Sequence, residues 1–494
     1  MIFSLIQMRR AGMRSNGRRE GGGGGGLGAR HKDHGGGGGG GGGLPPDLLR
    51  SLLTSPGLPP PLATPLMALE EKDRQGDLGK SVLEDLGVIE VIIDSLNQDY
   101  AEGQEISSDL KVARLRLLKV RLLTAIAPTL LIDSKSQHGQ ALLSCCCGAL
   151  RRAVSQGGAA VRPEEQIAWL ALLAVLLCKA QEVVTAHLAE VLGYLAVLAG
   201  IHSSGSCNLV PTNLPHLHFT RTSASDPEQK EPICPDTSES ELSCDELVSD
   251  SEFRVKRIEA LVQRDALMNI GIIAKRLPKK EVVAFWFLFL TDPSFSPLSG
   301  SMMDLLEHGQ KKARYQALAI LTDFLSHSAQ FLALAQHSEK ASSYTSLSTA
   351  LARAILSLHQ TLLSRLREPL SPTEAVALLK MVSTLAENCS YSRLAPGLLD
   401  QVITACLTVA REERNPVIQV ACLSVFASLC LHCTTDPAVV SAGSDVFGFM
   451  VARSKADLNS VAPDNNVRYM ALQALAGLTG VQLQIFLRQA PEVR

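Results

Sequence analysis

Aromatic residues are scarce in this sequence, since Phe, Trp and Tyr together make up 4% of its 494 residues. Sheet proteins are enriched in aromatic and β-branched residues, because those side chains pack well on a pleated surface. The sequence also has no large excess of positive or negative charge, since 47 Lys and Arg stand against 49 Asp and Glu and the formal net charge is −2. The composition therefore argues against a sheet protein, and against a global field that attracts nucleic acid or an anionic membrane.

Long hydrophobic runs are missing too. The longest strongly apolar run, Ile167 to Cys178, falls well short of the roughly 20 residues that a membrane-spanning helix needs, and Val282 to Leu290 is shorter still. The apolar run Met1 to Ile6 precedes Arg9 and Arg10, which reverses the order found in a signal peptide. We therefore expect an intracellular, soluble protein, cytoplasmic or nuclear, without a membrane span.

Motifs of the common enzyme classes are also absent. The chain contains no His-Glu-x-x-His, no nucleophile elbow and no Gly-x-x-x-x-Gly-Lys-Ser/Thr loop. The best ligand cluster, Cys430 to Cys433, has one Cys-x-x-Cys without a second pair at zinc-finger spacing, so we interpret its cysteines as packing residues. We predict no enzymatic activity, no catalytic residue, no metal and no cofactor.

The chain is rich in apolar residues that are typical of packed helices. Hydrophobic residues make up 46% of the sequence and the mean hydropathy is +0.13, which is enough for a large core in several domains. Leu and Ala dominate the apolar set and favour close helix packing. Of the twelve cysteines, several lie in apolar helical patterns, and we interpret them as buried thiols of a reducing compartment. The predicted class is all-α.

A helical segment recurs along the chain. Its last copy, Asp464 to Leu478, combines an acidic N-cap, Arg468 in the first turn, and apolar residues at helical spacing. Setting Arg468 beside Arg314 and Gln419 aligns the apolar positions at steps of about 49 and 105 residues, with room for a weaker copy near 373–380. We therefore predict an armadillo/HEAT-like α-solenoid in which Arg314, Asp464 and Arg468 stack neighbouring repeats.

Composition divides the chain into four segments. We predict a disordered Gly- and Pro-rich arm, N-terminal helical repeats, an acidic disordered linker and a HEAT/armadillo-like helical domain, at 1–75, 76–202, 203–253 and 254–494. In the second segment, helical patterns end near Tyr100 and then span 112–126 (interrupted at Pro128), 140–154, 163–179 and 182–198. Pro163, Glu164 and Glu165 form a favourable helix start, because Pro suits the first turn and carboxylates complement the helix dipole.

The acidic linker carries candidate modification sites. Three of its serines have a Glu three residues later, a spacing that acidophilic kinases favour: Ser238, Ser243 and Ser249. A solvated spacer without modification is the alternative. The linker contains ten carboxylates between Asp226 and Glu252 and one lysine, Lys230, so it cannot bury enough apolar surface to offset the entropy of ordering.

Basic residues line one side of the helix that follows the linker. They recur at steps of three, seven and eleven: Arg254, Arg257, Arg264 and Lys275. An apolar stripe is predicted on another side of the same helix, at Ile258, Leu261, Met268 and Ile272. A solvated helix face is the simplest interpretation. The alternative is a basic docking strip, with the acidic linker as one partner that it could hold in cis.

A series of short motifs supports a more specific resemblance. They include Ser249–Phe253, Arg264–Leu267, Lys279–Val282 with Trp286, Ala313–Leu318, Ser328–Leu332, Leu356–His359, Thr373–Glu374 and Tyr391–Leu394. In this order they resemble the HEAT repeat-containing protein 6 family over about 250–435. The resemblance implies a domain of unknown function there, hence a fold and no activity. The glycine-rich arm departs from the family pattern, and family members continue through more repeats.

The function that these features predict is a non-catalytic helical-repeat scaffold for protein–protein interaction, with protein partners that the sequence does not identify. The alternatives are an importin-like transport adaptor, or RNA association through the Arg9 to Arg19 cluster. The last helical pattern has no polar cap, whereas the end of a solenoid needs a polar outer face. We therefore expect a longer parent solenoid and self-association of this chain.

Overall fold

The computed structural model describes residues 86–100, 110–131, 137–156, 161–202, 209–214, 250–291, 298, 300–338, 346–413, 415–433, 445–446, 448–452, 467 and 471. Every described residue belongs to one compact unit. The predicted arm lies outside the described residues. So do the three candidate phosphorylation sites, Ser238, Ser243 and Ser249, and two of the predicted stacking residues, Asp464 and Arg468.

The described residues are α-helical and contain no strand. The helices are α1 Leu86–Asp99, α2 Leu110–Leu130, α3 Gln137–Gln156, α4 Pro163–Lys179, α5 Gln181–Ala186, α6 Leu188–Leu198, α7 Asp250–Arg276, α8 Lys279–Val283, α9 Met302–His308, α10 Lys311–Leu325, α11 Ala329–Leu332, α12 Leu347–Leu366, α13 Pro372–Asn388, α14 Leu398–Glu412 and α15 Pro416–His432. Two 3₁₀ turns are present as well, Trp286–Leu288 and Tyr391–Arg393.

These helices stack in two layers. Layer B consists of α2, α4, α7, α10, α13 and α15, and each of them packs against the next in that order. Layer A consists of α1, α3, α6, α9, α12 and α14, and each packs across the stack on the helix that follows it in layer B. Repeated helix pairs that contact only their neighbours define an α-solenoid. The predicted fold class, an armadillo/HEAT-like helical solenoid, is thereby confirmed.

Side chains between the helices of layer B fix their register. The Asn269 amide donates to the Leu170 carbonyl of α4 at 3.1 Å, and the Ser383 and Ser428 hydroxyls of α13 and α15 lie 2.8 Å apart. Arg314 and Gln419, which the sequence aligns, are each the fourth residue of their helix in layer B. The repeat alignment therefore identifies equivalent positions of two repeats.

Three predicted helices differ from those in the structure. The predicted interruption at Pro128 is wrong, because α2 continues through this residue to Leu130. The pattern at 182–198 is divided into α5 and α6 at His187, whose backbone leaves the helical region. The nine-residue run from Val282 to Leu290 is buried almost throughout, as its composition predicts, but α8 ends at Val283 and a 3₁₀ turn follows. Aromatic packing explains the irregular path, because Phe289 stacks on Phe324 with ring centroids 4.1 Å apart.

Helix α7 begins at Asp250, and its predicted apolar stripe is wrong. Met268 is 37% exposed, and the other three positions of that stripe are only half-buried. The buried face instead carries Val262, Ala266, Ile270 and Ile273. Helix α7 packs against α4, α6 and α10 together, so its buried face is wide. The residues of the predicted stripe therefore lie at the edge of the buried face rather than at its centre.

The helices before and after the acidic linker belong to one packed stack. Besides the Asn269 contact, the Gln263 amide donates to the Ala199 carbonyl at 3.0 Å. A short piece of the predicted linker, 209–214, is also placed against the stack, since the Thr212 amide donates to the Ala284 carbonyl at 2.7 Å. Leu209 in this piece is buried.

We expect these contacts to hold the two halves together after the linker is cut. Brief trypsin treatment should cleave first at Arg221 or Lys230, and the two fragments should still co-elute in size-exclusion chromatography, because α7 buries apolar surface on both α4 and α6. Denaturing gels would show the cut, and urea should separate the fragments. Fragments that separate in native buffer, or early cuts between 282 and 330, would contradict this prediction.

Candidate protein-binding face

Within the described part of the chain, each interior helix of layer B has one side without a helical neighbour, and α15, the last helix of that layer, has a corresponding side. Two sides contact adjacent helices of layer B and a third contacts layer A, so partly or fully exposed residues recur every three or four positions along the fourth side. We call this surface the open face of layer B. Its main residues are Ile167, Ala171 and Cys178 on α4, Arg257, Arg264, Met268 and Lys275 on α7, Lys312, Gln316 and Ala319 on α10, Thr373, Ala377, Lys380 and Glu387 on α13, and Val417, Ala421, Ser424 and Leu431 on α15.

The structure places the described residues of the predicted basic strip on this face. Arg257, Arg264 and Lys275 are exposed on α7, whereas Arg254 lies in the same helix but its side chain is outside the described part. At 1.5 Å per residue, Arg264 and Lys275 are about 17 Å apart along the helix axis. The cations therefore form a row along the helix.

The neighbouring helix extends the row. The Gln316 amide of α10 donates to the Arg264 carbonyl at 3.5 Å, which sets the two helices at the same level. The exposed Lys312 lies one turn before Gln316 and so adds a cation beside the strip. Helical spacing within one segment could not reveal Lys312, because its proximity comes from packing between repeats.

Arg264 forms an ion pair within α7, and apolar side chains are exposed between the cations of the row. The Arg264 guanidinium donates to the Asp265 carboxylate at 2.9 and 2.8 Å, and that carboxylate is largely buried. Between Arg264 and Lys275 lies the exposed Met268, and Ala319 is exposed on the neighbouring helix α10. Exposed cations around a flexible apolar side chain can bind a segment that carries both carboxylates and an apolar residue.

Arg314, the described member of the predicted stacking set, lies where two repeats meet. Its Nε atom is 3.8 Å from Oε1 of Glu374 on α13, and its Nη1 donates to the Gly309 carbonyl at 3.2 Å. Arg365 of α12 approaches the same carboxylate, with Nη2 at 3.4 Å. Glu374 was not recognised as a partner from the sequence, since 60 positions separate it from Arg314.

Lys279 connects two helices at the opposite end of the same repeat. Its ammonium group donates to the carbonyls of Ala274, Asp323 and Phe324, the last at 3.0 Å. The latter two belong to the final turn of α10, where a cation complements the helix dipole. Burial lowers the pKa of Lys279 to about 8, with the Asp323 charge opposing that shift. The motif Lys279–Val282 thus has a structural role.

Two of the short motifs, Leu356–His359 and Tyr391–Leu394, contribute the two members of a buried hydrogen-bonded pair. His359 of α12 is buried, and its Nε2 lies 2.9 Å from the Tyr391 hydroxyl. Its Nδ1 lies 2.8 Å from the Ile355 carbonyl, which can only accept, so we assign the proton to Nδ1 and the Tyr391 hydroxyl donates to Nε2. This pair positions the turn before α14 and faces no solvent.

Several buried thiols are held in the protonated form. Burial raises the pKa of Cys145, Cys147, Cys422 and Cys430 to about 12, so these groups stay protonated and weakly nucleophilic. Within the part of the chain that the structure describes, no three His, Cys, Asp or Glu residues are arranged to hold a metal ion. Of the helices in that part, none combines the length and apolar character needed to cross a membrane.

Comparison with known proteins identifies one domain. Residues 261–438 match the family described as "Domain of unknown function (DUF4042)". This match lies where the motif resemblance implies a domain of unknown function, and it confirms that part of the prediction. The match begins within α7 and ends six residues after α15, so it covers only part of the chain.

Solved structures of two other proteins share weak overall similarity with the chain. A structure of Kap95p with RanGDP is 10% identical, with a TM-score of 0.44, and the match covers 90% of this chain and 43% of that one. Structures of Kap121p bound to Pho4p and to Nup53p are each 11% identical, with TM-scores of 0.34, covering 91% of this chain and 43% of theirs. This chain thus spans less than half the length of the proteins it matches.

Proposed function

We propose that this protein is a non-catalytic scaffold whose open face of layer B binds an acidic segment of a partner protein. The observation that carries the proposal is the row of exposed cations Arg257, Arg264 and Lys275, joined by Lys312, around the exposed Met268. The resemblance of the motifs and the match to DUF4042 support membership of the HEAT repeat-containing protein 6 family.

The arrangement favours a peptide segment over a nucleic acid. Binding to nucleic acid typically uses a larger basic patch, together with aromatic platforms when the strand is single, whereas this chain is close to neutral and the open face presents Met268 and alanines between its cations. A helical or extended acidic segment can place carboxylates on the row and an apolar side chain on Met268.

A charge-reversal experiment tests the proposal. The full chain with Arg257→Glu, Arg264→Glu and Lys275→Glu should bind a fluorescent helical peptide of Glu and Leu at least about tenfold more weakly than the unaltered chain at low salt, because three attractive charge contacts become repulsive. The control reverses three exposed cations of layer A and its flank, Arg353, Arg367 and Arg411, and should leave the affinity nearly unchanged.

The same experiment separates the alternatives. Equal loss of affinity in both triple variants would show a nonspecific charge effect and contradict the assignment of the strip. A single-stranded RNA probe whose binding disappears on deletion of residues 1–20, with no peptide binding at all, would favour RNA association through the Arg9 to Arg19 cluster. Met268→Ala should weaken peptide binding without changing its salt dependence, since it removes only apolar contact. Self-association and a transport-adaptor role stay predictions.

A further inference from the structure

A Ser-Pro dipeptide begins helix α13. Ser371 has an extended backbone, with φ −69° and ψ 148°, and Pro372 is the first helical residue. The Ser371 side chain makes no capping hydrogen bond and is partly exposed, and the preceding residues 367–369 are exposed. Serine followed by trans proline in an extended segment is the sequence and shape that proline-directed protein kinases accept, and the described residues contain no cis peptide bond.

Side chains from two repeats converge around this serine. The Tyr315 hydroxyl of α10 lies 3.4 Å from the Ser371 Oγ. The adjacent Arg314 reaches Glu374, in the first turn of α13, and Arg365 of α12 reaches the same carboxylate. Two guanidinium groups therefore share one carboxylate within one turn of Ser371.

One donor in this group is left without an acceptor. The Nε atom of Arg314 is fully buried and makes no hydrogen bond, since its nearest carboxylate oxygen is 3.8 Å away. A buried unsatisfied N–H of a charged group is costly, and an additional anion within reach would satisfy it. Arg365 also pairs with Glu368 at 2.6 Å, but that carboxylate is half exposed.

We propose that Ser371 is a phosphorylation site for a proline-directed protein kinase, and that the phosphate binds Arg314 and Arg365 and tightens the contact between α10 and α13. In the transfer step, the Ser371 Oγ forms a bond to the γ-phosphorus of kinase-bound ATP. The bond from that phosphorus to the bridging oxygen breaks, ADP leaves, and the hydroxyl proton passes to the kinase's catalytic base. The product carries a charge of about −2 above its second pKa, near 6.

The phosphate would act on both repeats. At the N-cap position its oxygens can accept from the first N–H groups of α13, which Ser371 leaves uncapped, and negative charge there complements the helix dipole. Repulsion between the phosphate and Glu374 opposes this effect, so the two arginines are required for net stabilisation. This inference concerns regulation of repeat stacking and is independent of the proposed peptide-binding face.

The site itself is tested by phosphopeptide mapping of the intact chain after treatment with a proline-directed kinase and Mg-ATP. The sequence offers two other Ser-Pro pairs as internal competitors, Ser55-Pro56 and Ser296-Pro297. We expect phosphate on Ser371 in the unaltered chain and none at this position in Pro372→Ala. Phosphorylation of the competitors without Ser371 would overturn the site.

The role of the arginines is tested by a phosphorus NMR titration of the same protein. The second pKa of phosphorylated Ser371 should lie about half a unit or more below that of a phosphopeptide spanning 366–378, because paired guanidinium groups favour the dianion. Arg314→Gln with Arg365→Gln should remove that difference, and Arg353→Gln with Arg411→Gln should keep it. Hydrogen exchange in the first turn of α13 should slow several-fold on phosphorylation. A phosphate that titrates like the peptide and leaves exchange unchanged would overturn the proposed contact.

Discussion

Replacing Glu165 by Leu is expected to lower the free energy of unfolding by about 3–5 kcal/mol. The Glu165 side chain is 1% exposed and accepts from the Tyr100 hydroxyl at 2.8 Å and from the Arg116 Nε and Nη2 at 3.3 Å. Removing its carboxylate takes away the anion that accepts two hydrogen bonds from the buried Arg116 guanidinium. The loss should be measured as a shift of the urea midpoint at pH 7, with an unchanged slope.

Two further variants separate loss of the pair from loss of packing. Arg116→Met together with Glu165→Leu should recover most of the stability, because replacing both members of a buried ion pair by apolar residues is often neutral or favourable. The matched control is Glu164→Leu, at the exposed adjacent position, where we expect a change within about 0.5 kcal/mol. If the single and double variants were equally unstable, loss of the Glu165 contact by the buried Arg116 charge would not be the cause.

The same residue shows what could be predicted from the sequence. Pro163 and the two carboxylates after it predict the start of α4, and the structure confirms both ends of that helix. Their assigned role is right for Glu164, which is exposed in the first turn. It is incomplete for Glu165, whose charge is bound by Arg116 from α2 and by Tyr100 after α1. Partners 49 and 65 positions away leave no trace in local spacing.

Helix α7 shows that the sequence predicts exposed residues of a helix better than its buried face. Its exposed cations follow from periodicity within one segment, and Arg257, Arg264 and Lys275 are exposed as predicted. Its buried face does not, because three neighbouring helices bury polar side chains there, including Asp265 and Asn269. A hydrophobic pattern assigns such residues to the surface. In the structure the Asn269 amide donates to the Leu170 carbonyl and the Asp265 carboxylate accepts from Arg264, and these bonds offset the cost of burial.

The repeat alignment predicts equivalent positions in different repeats, but it does not predict the partners at those positions. Aligning Arg314 with Gln419 correctly places both in the fourth position of helices in layer B, since equivalent repeats have equivalent apolar positions. The partners at these positions differ. Arg314 approaches the Glu374 carboxylate of the next repeat, while the Gln419 amide donates to the Glu413 carbonyl just before its own helix at 2.8 Å. Stacking chemistry is therefore specific to each boundary and requires the structure.

Acidification should destabilise the protein through His359, by about 2 kcal/mol between pH 7 and pH 5. Burial lowers the pKa of His359 to about 4, although its hydrogen bond to the Ile355 carbonyl acts in the opposite direction. The ordinary value of 6.5 applies in the unfolded chain. Below pH 6.5 the unfolded state therefore binds a proton that the folded state does not, and stability falls as the pH falls from 6.5 toward 4.

The full contribution, about 3 kcal/mol, is lost only when the pH reaches the folded-state value. The Tyr391 hydroxyl stays protonated throughout, because burial raises its pKa well above the ordinary value, so it does not titrate in this window. Protonation at Nε2 would place a donor against this hydroxyl, which could then no longer donate to the ring.

Urea unfolding of the full chain at pH 7, 6 and 5 measures the effect. His359→Gln should be less stable at pH 7, since it disturbs the bond to Tyr391, and its stability should change less between pH 7 and pH 5 than that of the unaltered chain, by about 2 kcal/mol. His308→Gln, at an exposed position on α9, is the matched control and should keep the original pH dependence. Parallel pH profiles for the unaltered chain and His359→Gln would show that His359 is not the titrating group.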